Sequence, residues 1–213
     1  MIDAVDRVVM MMERDFRVRV VRFQNFRPEF LSEASTALVI KNVNSWQLID
    51  DNLFFQIRDS LESHGWLLSR QKLRTPPFEG VEHHYLAPIK NVCVETLYHA
   101  TREVNVQVIL RGGLRAARRE DCNFDRLDAI GNIYGSSVLG APGDWANSRY
   151  GTAHWWAELF ARDNRFNDPN WRILQVDLRG LDGLTCFRDI WSQTGIIIRP
   201  TEPIPAFRIT LVS

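Results

Sequence analysis

Cysteine, long apolar runs and an excess of either charge are all scarce in this sequence. Its three cysteines (Cys93, Cys122 and Cys186) are far apart and include no CxxC pair. Neither a disulfide framework nor a zinc site is therefore expected, and a reducing compartment is favoured. No segment approaches the roughly 18 consecutive apolar residues of a membrane-spanning helix. The 26 basic and 26 acidic residues cancel, so the net charge demands neither a nucleic acid nor a membrane, although local basic clusters stay open.

The start of the chain also lacks the features of a secretory signal. Asp3, Asp6 and Arg7 precede only a short apolar patch. We therefore expect a cytoplasmic location, although an effector or toxin delivered into another cell by a secretion system would have the same features. With 213 residues, of which 45% are hydrophobic, the chain is long enough for one sizeable core or two small ones.

Apolar periodicity predicts an N-terminal α+β unit over residues 1–90 and a second domain over residues 91–213. In the first unit we predict strands near residues 16–20 and 37–43, a helix over residues 46–63, and strands over residues 66–73 and 81–88. The connector at residues 75–80 is rich in turn residues. Pro88 marks the seam between the two predicted domains.

The helix and hairpin of the first unit have two interpretations. They match the order of elements in a winged-helix unit, in which Arg70, Lys72 and Arg74 would face phosphates. The alternative, which we favour, is a solvated face of a sheet that extends the second domain, because basic residues on a strand are common at surfaces. His83 and His84 point to opposite faces of one strand and cannot readily bind one metal ion.

The second domain opens with a predicted strand end, a polar corner and an amphipathic helix over residues 97–114. We predict Thr101 as the N-cap of this helix and Gly112-Gly113 as its end. The predicted buried face consists of Val104, Val108, Ile109 and Leu110. The polar loop that follows, through residue 128, is long enough to be a candidate for substrate or partner contact.

The rest of the second domain is predicted to be rich in strands. We expect a short strand at residues 130–138, a loop at 140–151 and a helix at 152–162. Strands are expected at residues 171–178, 195–199 and 207–212. Strands with two helices predict an α+β fold.

Three segments of this domain resemble the catalytic domain of the ADP-ribosyltransferase superfamily. Tyr98-His99-Ala100-Thr101 resembles the His-Gly-Ser/Thr opening of the poly(ADP-ribose) polymerase-like and tRNA 2′-phosphotransferase-like branches. Gly131-Asn132-Ile133-Tyr134 is similar to the segment that carries the family's tyrosine, and Thr152-Ala153-His154-Trp155 to its Ser-Ala-Asn-Tyr. The resemblance covers residues 97–212 and implies a split antiparallel β-sheet core with flanking helices.

The resemblance implies NAD as co-substrate, released nicotinamide and no metal. By this resemblance His99 and Thr101 hold a ribose of NAD, and the backbone of Ala100 binds the nicotinamide amide. Alanine keeps the N–H and C=O of the family's glycine, so the exchange is acceptable where no positive φ is needed. A histidine at a strand end is otherwise more often a packed or surface residue.

The two later segments imply the remaining cofactor contacts. Tyr134 and Trp155 would sandwich the nicotinamide, and Thr152 would hold its carboxamide. Each also has an ordinary structural interpretation: Tyr134 and Trp155 as core aromatics, and Thr152 as a helix N-cap.

The family's catalytic glutamate has no counterpart, since Gln193 stands just before the strand at residues 195–199. An amide can hydrogen-bond a ribose hydroxyl, but it cannot stabilise cationic character as a carboxylate does. The candidate catalytic residues are His99, Tyr134 and Gln193. Three other carboxylates do not match this position: Glu158 lies within a helix, Asp189 a few residues early, and Glu202 beyond the strand.

Three functions are consistent with these residues. The first is transfer of ADP-ribose from NAD to a protein or nucleic-acid acceptor. The second is an RNA 2′-phosphotransferase-like reaction, in which Arg102, Arg111 and Arg115 would bind the phosphate, although arginines on a helix are often only solvated. The third is a catalytically impaired pseudoenzyme that binds a nucleotide or a partner protein.

Overall fold

The structure is a computed structural model that describes residues 3–23, 36–72, 82–118, 131–162, 169–190 and 192–212. The described residues divide into two compact units, one ending at Ile89 and the other beginning at Lys90. Each unit combines two α-helices with one antiparallel sheet over these ranges. The predicted α+β class is therefore confirmed.

The first unit has a four-stranded antiparallel sheet with the order β1-β2-β4-β3. Its elements are α1 (Ala4–Phe16), β1 (Val18–Arg22), β2 (Thr36–Asn42), α2 (Asp51–Ser63), β3 (Trp66–Lys72) and β4 (Glu82–Pro88). Both helices begin at an aspartate whose side chain accepts a backbone N–H, Asp3 for α1 and Asp50 for α2. One apolar face of each helix contributes to a core with β2 and β4, through Met12, Phe54 and other buried residues.

The helix predicted from residue 46 begins five residues later. Trp46 has a positive φ of 57°, which a helix does not allow. Its N–H donates to Asn42 O, and the N–H of Asn42 donates to Gln47 O, so residues 42–47 form a turn. The helix begins only where Asp50 caps it by accepting the N–H of Leu53 at 2.8 Å.

The hairpin of β3 and β4 belongs to the sheet of the first unit, where β4 pairs with both β2 and β3. The interpretation that it extends the sheet of the second domain is therefore wrong. Arg70 is not part of a solvated face, because its side chain is 11% exposed and lies 3.2 Å from Asp51, with the guanidinium over the ring of Phe54. The side chain of Lys72 and all of Arg74 lie outside the described residues.

The second unit has a six-stranded antiparallel sheet with the order β10-β7-β5-β6-β9-β8. Its elements are β5 (Thr96–Arg102), α3 (Glu103–Gly112), β6 (Ile133–Ser136), α4 (Ala153–Arg162), β7 (Trp171–Asp177), β8 (Leu184–Arg188), β9 (Gly195–Pro200) and β10 (Ile209–Leu211). A single 3₁₀ turn at Ala206–Arg208 precedes β10. Strand β8 was not predicted; its five residues pair with β9 along their whole length.

Alternate residues of β5 serve two apolar clusters. Leu97 belongs to the larger cluster, to which α3 contributes Val106. Tyr98 and Ala100 pack with Ala153 and other residues of the cluster beneath α4. The sheet therefore has a helix-covered core on each side of β5.

The corner between β5 and α3 differs from the prediction. Thr101 is not an N-cap, because β5 continues to Arg102 and Thr101 pairs with Arg172 of β7. The buried face of α3 also differs from the prediction. Val104 and Val108 are each 70% exposed, whereas Val106 is 4% exposed. The predicted end is confirmed, since Gly113 has a φ of 87° and its N–H donates to Ile109 O.

Candidate active site

The strands β5 and β6 are neighbours that pair at one position within the described residues, Tyr98 with Ser136. Beyond this pair, β5 continues to Arg102 but pairs only with β7. Strand β6, read backwards to Ile133, pairs only with β9. Because the two strands are antiparallel, these continuing segments lie on the same side of the Tyr98–Ser136 pair. The sheet therefore divides there and leaves a gap between the two strands. We call it the β5–β6 gap.

His99 lies in the β5–β6 gap and connects its two edges. Its Nδ1 is 2.7 Å from the backbone oxygen of Tyr134. A carbonyl only accepts hydrogen bonds, so Nδ1 carries the proton and Nε2 has a free lone pair. Burial lowers the pKa of His99, and the hydrogen bond to the Tyr134 carbonyl opposes this in part. The ring is therefore neutral at pH 7, and Nε2 can accept a hydrogen bond from a ligand hydroxyl.

Ala100 and Thr101 continue β5 along the gap. Ala100 pairs with Ile173, and Thr101 pairs with Arg172. Thr101 is 6% exposed and lies on the same face of the strand as His99 because side chains alternate. The structure brings His99 and Thr101 to one face, as the predicted ribose contacts require.

Tyr134 and Gln193 lie on the other side of the gap. Tyr134 is half-buried on β6 and pairs with Ile197. Gln193 is exposed in the turn between β8 and β9, and its backbone oxygen accepts from Arg188 Nη1 at 3.1 Å. The amide side chain of Gln193 therefore extends toward solvent.

Thr152 caps α4, as predicted, and its hydroxyl has two partners. Its Oγ1 accepts the N–H of Trp155 at 3.1 Å and donates to Asp144 Oδ2 at 2.7 Å. The single hydroxyl proton of Thr152 is therefore donated to Asp144. Toward a carboxamide, the Thr152 oxygen can act only as a hydrogen-bond acceptor. Asp144 is 1% exposed. Burial alone would raise the pKa of Asp144, but hydrogen bonds from Ala141 and Thr152 bring the pKa below its usual value.

Trp155 is 6% exposed and packs within an aromatic cluster. Its ring centroid lies 5.2 Å from that of Trp145, 5.6 Å from Tyr150 and 4.7 Å from Trp156. Its Nε1 is buried without a hydrogen-bond partner in the described part of the chain. Tyr150, at 40% exposed, is the more accessible aromatic ring beside it. Sequence reasoning missed Trp145 and Tyr150, although both are aromatics in a loop otherwise rich in small and polar residues.

Two sets of hydrogen bonds fix the loop that carries these aromatics. Glu158 of α4 accepts the N–H groups of Gly143 at 2.5 Å and Trp145 at 3.0 Å. At the other end of the loop, Thr194 Oγ1 donates to Gly151 O at 2.7 Å. Ser136 donates to Thr194 Oγ1 at 3.1 Å. The loop, the turn before β9 and the end of β6 are therefore joined through polar contacts.

The three predicted phosphate-binding arginines do not converge. Arg102 ends β5, is half-buried, and has a buried Nε without a hydrogen-bond partner among the described residues. Arg111 is exposed in the last turn of α3. At 1.5 Å per residue, the two backbones are about 14 Å apart along the helix. Arg115 is exposed beyond the helix end.

In comparisons with known proteins, no protein-family profile and no curated protein matches this chain. Within the described ranges, no helix has both the length and the apolarity needed to span a membrane. No group of three or more His, Cys, Asp or Glu side chains is arranged to hold a metal ion in those same ranges.

Proposed function

We propose that this chain transfers ADP-ribose from NAD to a macromolecular acceptor and releases nicotinamide, on an ADP-ribosyltransferase-like split sheet. The observation that carries the proposal is His99 in the β5–β6 gap. Its Nδ1–H is held by the Tyr134 carbonyl, and its Nε2 lone pair is oriented by that bond. A neutral acceptor nitrogen suits a ribose hydroxyl, which donates one proton.

The arrangement of the three resembling segments supports the same proposal. The segment of His99 is on β5, the segment of Tyr134 is on the neighbouring β6, and α4 packs on β5 through Ala153 and Ala157. Segments that are 20 to 50 residues apart in sequence therefore lie on neighbouring elements of the second unit. Tyr134 and the aromatic cluster of Trp155 supply apolar rings for nicotinamide, which stacks on aromatic surfaces.

The neutral side chain of Gln193 affects which class of acceptor this chain can use. Its amide can hold the ribose 2′-hydroxyl, but it adds no negative charge to activate a neutral nucleophile. A nucleic-acid or other anionic acceptor brings its own charge. Such acceptors therefore fit this chain better than a neutral acceptor group that needs an enzyme base, and we propose cytoplasmic action on one of them.

The test is transfer of label from NAD labelled in its adenine moiety, with purified protein and cell lysate. We expect label on protein or nucleic acid with the wild-type chain and loss of transfer in His99→Ala. Tyr134→Phe tests the tyrosine hydroxyl alone. His64→Ala, at an exposed histidine of the first unit, is the matched control and keeps wild-type transfer. Transfer that persists in His99→Ala contradicts the proposal.

A second candidate is a pseudoenzyme that binds NAD or a related nucleotide without turnover. The neutral Gln193 at the position of the family's glutamate favours it. Saturable NAD binding together with no release of nicotinamide, in the same preparation, distinguishes this candidate from the transferase.

A further inference from the structure

Arg102 ends β5 without a counter-charge. Its side chain is half-buried, its Nε is buried without a hydrogen-bond partner, and no described side chain forms an ion pair with its guanidinium. The adjacent Glu103 is paired with Arg172 instead, at 3.0 Å. A buried donor without a partner is destabilising, and a guanidinium is well suited to bind a phosphate. Arg102 therefore indicates an anionic ligand at this end of β5.

Three aromatic rings continue from Arg102 along one face of the second sheet. Arg102 pairs with Trp171 of β7, so both side chains project to the same face. Trp171 packs there against the cluster beneath α4. Its ring centroid lies 4.6 Å from that of Phe160, which lies 5.6 Å from that of Trp156. The three rings are half-buried, so each has part of its surface in solvent. We call these four residues the arginine–aromatic row.

The carboxylates next to the arginine–aromatic row are engaged elsewhere. Glu103 is held by Arg172. Glu158, which lies between Trp156 and Phe160 in the sequence of α4, accepts two backbone N–H groups of the preceding loop. A ligand on the row therefore meets one positive charge and a series of aromatic surfaces. This combination binds single-stranded nucleic acid, whose phosphates contact cationic side chains while its bases stack on aromatic rings. An acidic peptide would neutralise Arg102 but has no regular series of planar groups.

We propose that the arginine–aromatic row binds single-stranded nucleic acid, with a phosphate on Arg102 and bases against the rings of Trp171, Phe160 and Trp156. This binding surface goes beyond the proposed transferase function and does not depend on it. Where that function holds, the bound strand is an acceptor of the nucleic-acid class named above. Stacking and phosphate contacts do not involve the 2′-hydroxyl, so RNA and DNA of one sequence bind alike.

Fluorescence anisotropy of labelled oligonucleotides with the full chain, in the absence of NAD, tests the proposal. The probes are single-stranded RNA and DNA of about 12 nucleotides, a length typical of single-strand binding sites. We expect saturable binding that weakens as the salt concentration rises, with Kd values for RNA and DNA within about threefold of each other. The DNA duplex of the same sequence should bind at least about tenfold more weakly, because its bases are not free to stack on the protein.

Two substitutions separate the row from general electrostatic attraction. Arg102→Gln should raise the Kd about tenfold, because a charged contact to phosphate is lost. Arg179→Gln removes the same charge from an exposed arginine paired with Asp177 and is the matched control. Trp156→Leu should raise the Kd about tenfold by the loss of one stacked base. Trp46→Leu, at an exposed tryptophan of the first unit, is its control and should bind as the wild type does.

The outcomes separate this proposal from the transferase function. Absence of saturable binding to both single strands overturns the proposal and leaves transfer to another acceptor standing. Equal affinity for duplex and single strand, or equal weakening in Arg102→Gln and Arg179→Gln, also overturns it. Competition by NAD that is weakened in Arg102→Gln overturns it in favour of NAD as the occupant. Oligonucleotide binding by a chain that does not bind NAD supports this proposal and refutes the transferase.

Thermal melting verifies that each variant is folded. Arg102→Gln removes an unpaired donor and should melt at or above the wild-type temperature. It decides the question if Trp156→Leu does not fold.

Discussion

One hydrogen bond determines which nitrogen of His99 can meet a ligand. The carbonyl of Tyr134 holds the proton on Nδ1, and this leaves Nε2 as an acceptor. A carbonyl on a neighbouring strand is a fixed partner, since the backbone of β6 is itself held by pairing with β9. The orientation of His99 therefore depends on the sheet rather than on a second side chain.

The sequence places His99 at a strand end, but β5 continues to Arg102 and His99 lies in mid-strand. The sequence also could not identify this carbonyl. Backbone partners that are 35 residues away have no side-chain signature. Thr152 has one contact that the sequence predicts and one that it does not. Its cap role follows from local sequence, whereas its bond to Asp144 depends on how the preceding loop folds back. Local chemistry could be predicted here, and contacts through loops could not.

His84 makes the first unit sensitive to acid. It is completely buried, and neither ring nitrogen has a hydrogen-bond partner within the described ranges. Burial, followed by the charges of Arg70 and His83, lowers the pKa of His84 from 6.5 to about 3. The pKa of His84 is lower in the folded state than in the unfolded state. The free energy of unfolding is therefore at its full value above about pH 6.5 and decreases as the pH falls toward 3. About 2 kcal/mol is lost by pH 5.

His84→Leu should remove most of this loss, because leucine binds no proton in either state. The measurement is urea denaturation of the full chain at pH 7 and pH 5. A brief hydrogen-exchange pulse followed by mass spectrometry of peptides from α2 and β4 reports on the first unit. The exposed His64, replaced by alanine, is the control and keeps the wild-type acid sensitivity. An equal acid shift in His84→Leu and wild type would show that other groups cause it.

At the scale of elements, both the start of α3 and its buried face differ from what its apolar pattern predicts. The sequence has valine at positions 104, 106 and 108, and periodicity alone allows more than one buried stripe. Because β5 pairs with β7 through Arg102, the helix begins at Glu103 and Val106 faces the core. The same reason explains α2, whose predicted start ignored the turn before Asp50. Strand pairing and turns set these boundaries, and neither is visible in a helical pattern.

Valine-to-alanine variants of α3 test this assignment. Val106→Ala should lower the free energy of unfolding by roughly 1.5–3 kcal/mol, because it empties a buried site. Val104→Ala should change it by no more than about 0.5 kcal/mol, since that side chain is 70% exposed. Urea denaturation followed by tryptophan fluorescence measures both. The reverse ranking would contradict the orientation of the helix.

At the scale of the whole molecule, the class and the order of most elements could be read from the sequence. Most strands were predicted to within two or three residues, because apolar alternation is a local signal. The pairing of strands within each sheet was not predicted, and the favoured interpretation assigned the first unit's hairpin to the wrong sheet. Sheet membership depends on pairing between distant segments, such as β5 with β7, which a single sequence does not specify.

The sequence predicts which residues belong to the candidate site, but not how they are arranged. Three segments were chosen by resemblance, and the structure brings those of His99 and Tyr134 into contact at the β5–β6 gap. The aromatics Trp145 and Tyr150, the buried Asp144 and the contacts of the half-buried Glu158 with the loop were not predicted. All four act within one loop and its helix, where tertiary contacts rather than local patterns determine the structure.

The central claim is that the β5–β6 gap binds NAD through His99, and calorimetric titration of the full chain with NAD tests it most directly. We predict saturable binding by the wild-type chain and binding about tenfold weaker in His99→Ala, the loss expected for one hydrogen bond within a partly buried site. Val104→Ala, at an exposed position of α3, should bind as the wild type does. Absence of binding by the wild-type chain, or equal affinity in His99→Ala, would contradict the account.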